Sequence, residues 1–297
     1  MLFSLARPSF YTTGEAGKNT WRSQFEISNY LSSTKRGSEI FQIDGETWLA
    51  TNSIVHQLND DTSLQLSIPW LKHGKGKIDR FLFHFHDIFQ LPQNGRQDDR
   101  HNEMYWEVQH GNDRPVFLKG SVSGFGDIVL RASRLISGNI DQQWHVQIKL
   151  PTGEFDDQTG SEKTDMGLAF SFRNPQWLKD RKWLVTTPLS FWYGLGVNYI
   201  GHVSQLEAFN QNTWITTART GLAWQFATDW QFKGQLDSHN SLFDSSAREL
   251  GWVPLQATLA VDAKLTDNSF FSAAIIEDLR PRVTPDVIFS FELKHTF

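Results

Sequence analysis

The polar chemistry of this 297-residue chain comes from 10 His, 33 acidic and 28 basic residues, with no Cys. His84, His86 and Asp87 stand together, and Ser238 precedes His239. His145, Gln147 and Lys149 alternate along one stretch, as do Lys233, Gln235, Asp237 and His239 along another, and Asp127 and Arg131 lie four apart. A hydrolytic site needs a nucleophile and a base within hydrogen-bond reach, with a third group orienting the base. Ser238 and His239 are neighbours, so in a strand they face opposite sides and cannot pair. On a helix, His84 and His86 point about 200° apart, which is poor geometry for sharing a metal. There is no Gly-x-Ser-x-Gly nucleophile elbow. The absence of Cys removes thiol nucleophiles and Cys-based zinc sites. The acidic run Glu154-Phe155-Asp156-Asp157 is as compatible with a surface loop as with a calcium site. No metal site and no organic cofactor is implied, and the expectation is a protein that is not an enzyme.

The elements that carry these residues are strands. Trp144, Val146, Ile148 and Leu150 alternate with Gln143, His145, Gln147 and Lys149; Trp230, Phe232, Gly234 and Leu236 alternate with Gln231, Lys233, Gln235 and Asp237. Val287, Phe289, Phe291, Leu293 and Phe297 alternate with Ser290, Glu292, Lys294 and Thr296, His295 being the exception on the apolar parity. One parity runs Trp214, Thr216, Ala218, Thr220, Leu222, Trp224 and Phe226, longer than the roughly 5–6 residues of an ordinary soluble strand. Period-2 segments of this length, ending in aromatics, suit a transmembrane β-barrel that is apolar toward lipid and polar toward its lumen. A soluble β-sandwich is the competing architecture.

Twelve strands are expected, near 20–31, 40–57, 62–71, 126–137, 142–151, 164–173, 183–199, 213–227, 230–240, 250–264, 268–279 and 286–297. A further hairpin from Met104-Trp106-Val108 and Val116-Phe117-Leu118 keeps the range at 10–14. The connections alternate between short and long, as periplasmic turns and extracellular loops do. The whole chain 1–297 is expected to be one barrel domain, with residues 1–18 an N-terminal tail. This fold resolves a paradox of composition: 12 Trp, 5 Tyr and 23 Phe sit in a chain of mean hydropathy −0.42. Half of each strand faces the lumen, so hydropathy averages out. No apolar run is long enough for a transmembrane helix. The net charge of −5 argues against a nucleic-acid partner. Met1-Leu2-Phe3-Ser4-Leu5 lacks the basic and apolar regions of a signal peptide. A barrel bound for the bacterial outer membrane needs one, so a native leader is expected to have been removed.

Residues 72–125 break the strand rhythm. Ile78, Phe81, Leu82, Phe85, Ile88 and Phe89 follow helical spacing, with Lys77, Arg80, His84 and Asp87 on the other face. A short amphipathic helix near 77–90 is expected in a long extracellular loop, and Pro92 ends it. It would lie over or inside the barrel mouth, packed on the wall or at the lipid interface, as lid, plug or brace.

Several stretches resemble an uncharacterised family of Gram-negative outer-membrane barrels, catalogued as a domain of unknown function. They are Phe85-His86-Asp87 with Leu91-Pro92 and Asn94-Gly95-Arg96; Asp44-Gly45-Glu46-Thr47; and Gly124-Phe125-Gly126-Asp127. The others are Lys149-Leu150-Pro151-Thr152-Gly153 with Thr159-Gly160-Ser161 and Asp165; Glu249-Leu250-Gly251; and Glu277-Asp278-Leu279 with Pro285-Asp286. They also resemble, more distantly, outer-membrane channels linked to phenol degradation. The C-terminal pattern Phe289, Phe291, Leu293 and Phe297 resembles the signal read by the barrel-assembly machinery. His295 departs from it.

The resemblance implies an outer-membrane location, with membrane lipids and lipopolysaccharide around the wall and the assembly machinery as a biogenesis partner. Charged residues facing lipid near the midplane would cost about 2–4 kcal/mol for Arg or Lys. Asp127, Arg131, His145, Gln147, Lys149, Lys233, Gln235 and Asp237 are therefore expected to line the lumen and to be available to a ligand. His86, Asp87, Gly95 and Arg96 form the expected lid motif. The leading reading is a narrow channel or passive transporter for a small solute. The alternatives are a lipid-active enzyme around His84–Asp87, or a structural barrel whose loops bind a partner.

Overall fold

A computed structural model describes residues 16–79, 81, 82, 84, 87, 103–138, 140–174, 189–245, 247–280 and 284–297. Among the described residues fifteen strands form one antiparallel sheet. They are β1 (Asn19–Arg36), β2 (Glu39–Gln57), β3 (Thr62–Gly74), β4 (Tyr105–His110), β5 (Asp113–Leu118), β6 (Val122–Phe125), β7 (Val129–Ile136) and β8 (Asp141–Lys149). The rest are β9 (Asp165–Asn174), β10 (Leu189–Tyr199), β11 (Trp214–Ala227), β12 (Trp230–His239), β13 (Leu255–Thr266), β14 (Ser269–Asp278) and β15 (Val287–Thr296). Each of β1, β2, β3 and β7–β15 pairs with the next, and β1 pairs with β15, Thr20 opposite Thr296. The result is a closed twelve-stranded barrel, and closure excludes the sandwich.

The strands form where alternation placed them. Trp144, Val146, Leu195, Trp214 and Leu259 point outward and are exposed, whereas His145, Gln147 and Lys149 point inward and are buried. Exposed outward apolar side chains require an apolar surrounding, which a bilayer supplies. Short turns such as 58–61, 228–229 and 267–268 join strands at the end that holds β1's start and β15's finish. The long connections lie at the other end, hereafter the loop end.

Three details differ from the expected strands. The fourth, expected over 126–137, begins at Val129 as β7, with the short β6 ahead of it, because Gly126-Asp127-Ile128 leaves the ladder with β3. The strand expected from 250 starts at Leu255, behind a one-turn helix (Arg248–Gly251). The 104–118 hairpin is present as β4–β5, extending the wall above β3 by pairing along the top of β2, from Glu39 with His110 to Asp44 with Tyr105. The stretch 175–188, expected to supply a turn and the start of a strand, lies outside the described residues.

The buried apolar cluster sits inside the loop-end mouth. It joins Trp106, Val108, Val116 and Leu118 of the hairpin to Phe155, Ile200, Val203 and Ile215, and to Leu206 and Phe209 of a 3-10 turn, η1 (Ser204–Phe209). In barrel order β10, which leads into η1, stands nearly opposite β2, which carries the hairpin. Contact between β5 and η1 therefore spans the opening. Together they make a roof.

Candidate functional site

Every lumen residue expected from sequence faces inward, but they form several clusters rather than one. On β8 the inward row is Asp141, Gln143, His145, Gln147 and Lys149, all buried. Lys149 Nζ lies 2.9 Å from Asp127 Oδ2 and 2.9 Å from Asp165 Oδ2, and it also contacts Ser161 Oγ. Asp127 accepts the backbone N–H groups of Gly153 (2.8 Å) and Ser161 (3.1 Å), and Asp165 accepts that of Gly201 (3.0 Å). Thr152 Oγ1 donates to Gly126 O at 3.0 Å and accepts from Ile128 N at 2.9 Å. The Gly-Phe-Gly-Asp, Lys-Leu-Pro-Thr-Gly and Thr-Gly-Ser stretches thus converge on one buried polar knot that folds loop 150–164 back over the wall. Gly160 is required there, because a Cβ would lie 2.5 Å from Asp127 Oδ1 and 2.7 Å from the Gly153 carbonyl carbon.

Lower in the lumen Arg131 donates to Gln147 Oε1 at 2.9 Å, and Ser133 pairs with His145 at 2.9 Å. Sequence reasoning missed Ser133, since the pairing crosses from β7 to β8 and depends on their register. This is a serine–histidine pair, but His145 is only 1% exposed, which keeps substrate away from it. Asp237 accepts from Arg219 Nε (2.5 Å) and Gln235 (2.7 Å), and Lys233 pairs with Asp262 (2.6 Å). Toward the terminal end, Arg22 bridges to Glu292 at 2.6 Å. A cavity of about 190 Å³ opens there, lined by Arg22, Gln24, Ser53, Gln65, Arg131 and Glu292 among others. Among the described residues, no cluster of three or more His, Cys, Asp or Glu is placed to hold a metal. Phe155 of the acidic run is fully buried in the roof.

The roof rests on a second polar contact. His73 Nδ1 meets Thr47 Oγ1 at 2.8 Å and Nε2 meets Gln158 O at 3.1 Å, with Trp106 packed on the ring. His73, near the end of β3's ladder, is 1% exposed beneath the roof. Glu249 reaches the inner top of β1, accepting from Ser32 (3.1 Å) and Thr34 (2.6 Å). Asp278 faces inward and caps its loop through Arg280 N and Thr284 N, while Glu277 takes the other face.

The helix of the 72–125 segment is elsewhere. Its described residues Asp79, Phe81, Leu82, His84 and Asp87 are helical, and Phe81 packs against Phe289 at 5.9 Å. Phe289 pairs with Ile27, and Ile27 with Trp48, a row on the outer wall. The next row up, Asn29 and Glu46, is outward yet buried beneath the chain. Asn29 donates to Asp79 at 2.8 Å, and Glu46 Oε1 accepts the backbone N–H groups of Lys77 and Ile78 at 2.6 Å each. The helix braces the outer wall, and the hairpin after it roofs the mouth. Asp87 is exposed; His86, Gly95 and Arg96 lie outside the described residues.

Phe289, Phe291 and Leu293 point outward on β15, and His295 occupies the same face, stacked on Phe297. The fold is similar to that of the COG4313 outer membrane channel from Pseudomonas putida F1, at 14% identity and TM-score 0.60, covering 98% of this chain and 100% of that one. The KdgM porin overlaps 94% of this chain and 99% of its own at 8% identity and TM-score 0.47. The Pseudomonas putida toluene transporter TodX overlaps 98% and 91% at 8% identity and TM-score 0.41. At such identities the likeness establishes the fold alone. No curated protein matches the sequence. The sequence matches the protein family of unknown function DUF3187 over residues 5–297, and the chain belongs to that family.

Proposed function

We propose that the chain is an outer-membrane barrel that passes a small solute, with its loop end outside the cell and the β4–β5 roof as its plug. The carrying observation is the closed barrel itself, apolar outside and polar inside. A twelve-stranded barrel sits between filled eight-stranded cores and open 16-stranded pores, a size suited to narrow passage. The polar cavity at the terminal end supplies a solvated compartment beneath the roof. The solute is water-borne through that compartment and must get past the roof to reach it. Similarity to a named outer membrane channel supports this reading through shared fold.

Planar-bilayer recordings of purified protein test it. Wild type should show small, infrequent openings, and Trp106→Ala with Phe209→Ala should raise open probability by loosening the roof. If neither protein conducts and neither admits solute into liposomes, the channel reading is overturned.

A further inference from the structure

On the outer wall, Ile27, Trp48 and Lys72 form one row through the pairings of β1 with β2 and β2 with β3. One row lower, Ala50 pairs with Trp70. Lys72 is therefore an outward, exposed cation directly above an outward indole. Lys77 comes back over the same place from the following loop, its Nζ 5.1 Å from the Trp48 ring centroid. Lys75 between them is exposed as well. Trp48 is held in position: its Nε1 donates to Glu46 at 3.2 Å, and Phe25 packs edge-on at 5.9 Å.

The two buried acids of this face, Glu46 and Asp79, are already engaged. Glu46 caps the backbone at Lys77 and Ile78, and Asp79 holds Asn29. Among the described residues none of the three lysines is ion-paired. On the far side of the barrel the corresponding outward residues are Met166, Tyr199 and Trp214, with no charge. A cation on a lipid-facing wall is costly at mid-depth and tolerable at the interface. Exposed Phe81, on the helix alongside, adds an apolar contact that reaches toward acyl chains.

We propose that Lys72, Lys75 and Lys77, with Trp48, Trp70 and Phe81, bind the net-anionic phosphate headgroup of a lipid, one with no cation of its own, in the leaflet around the loop end. The lysines supply the counter-charge, and the aromatics bracket the start of the acyl region. This rests on the membrane placement proposed above and not on channel activity.

The test is native mass spectrometry of the folded barrel in detergent, titrated with diphosphoryl lipid A or with phosphatidylcholine. Wild type should retain lipid A and shed phosphatidylcholine. Lys72→Gln/Lys75→Gln/Lys77→Gln should lower lipid A retention about tenfold while keeping heat-modifiable gel mobility. Lys264→Gln, an exposed cation at the opposite end, should leave retention unchanged. Equal retention by wild type and the triple variant would overturn the site, as would an equal loss from Lys264→Gln. A protein that is soluble and folded without detergent would instead overturn the membrane placement.

Discussion

Replacing Lys149 with Met tests whether the knot at the top of the lumen holds the fold. Lys149 is 2% exposed and is the shared cation of Asp127 and Asp165, each 2.9 Å away and 5% and 1% exposed. Removing one partner of a buried pair leaves uncompensated charge and costs about 3–5 kcal/mol. Here two carboxylates lose the same partner, so Lys149→Met should fall at the upper end of that range. The backbone N–H donors of Gly153, Ser161 and Gly201 still reach the carboxylates and limit the damage. The assay is reversible urea unfolding of the barrel in lipid vesicles, followed by tryptophan fluorescence. A triple variant, Lys149→Met/Asp127→Asn/Asp165→Asn, removes the orphaned charges along with the lysine and should recover at least half of the loss. A cost below about 1 kcal/mol for the single variant, or a triple variant no better than the single, would refute electrostatic compensation as the knot's role.

The other predictions address the roof, loop 150–164 and, as a control, a turn at the opposite end. His73 is buried beneath the roof, its ring bridging Thr47 Oγ1 and the Gln158 carbonyl. His73→Ala should cost about 1–3 kcal/mol in urea unfolding, because it takes that partner from Thr47 Oγ1 and the Gln158 carbonyl. Gly160→Ala places a methyl against Asp127 and Gly153; overpacking should cost about 1–3 kcal/mol and open loop 150–164 to limited proteolysis. Asp267→Asn, at an exposed turn where the carboxylate bonds Lys264 at 2.7 Å, should leave the melting temperature unchanged within error.

The barrel was legible because its signal is periodic. Each strand carries an apolar parity such as Trp144-Val146-Ile148, and burial by lipid on one side and polar neighbours on the other enforces it residue by residue. Which way His145 and Lys149 point follows from the same parity. Their partners do not, because Ser133 and Asp165 reach them through inter-strand register, which turns and bulges fix. The family-like stretches were visible as text, yet only folding shows that Asp127, Lys149, Ser161 and Asp165 meet at one point. The helix near residue 80 was legible from its spacing, but its place was not. An amphipathic face packs equally well on a mouth or on an outer wall, and the choice rests on Glu46 and Asn29, outward polar groups that need a cover.

Those two groups explain why a single connection does two jobs. β2 is paired with β3 from Glu46 down and with β4 from Asp44 up, so the wall forks at Gly45. Gly45 has φ +141, and a Cβ there would lie 2.8 Å from Gly74 O and 3.0 Å from Met104 Sδ; only glycine allows the chain to leave and re-enter so closely. Leaving at Gly74, the chain turns outward, covers Asn29 and Glu46 and lays the helix on the wall. Returning at Met104, it turns inward and builds the roof. The hairpin is therefore tied to β2 by a continuous ladder, whereas its meeting with η1 is made by side chains, His110 lying 5.7 Å from Phe209. Separating the ladder would strand backbone hydrogen-bonding groups inside the mouth, while separating the side-chain seam exposes apolar surface and leaves the ladder whole. On the channel proposal, the seam between hairpin and η1 is therefore expected to open while the hairpin stays fixed to the wall as the frame it opens against.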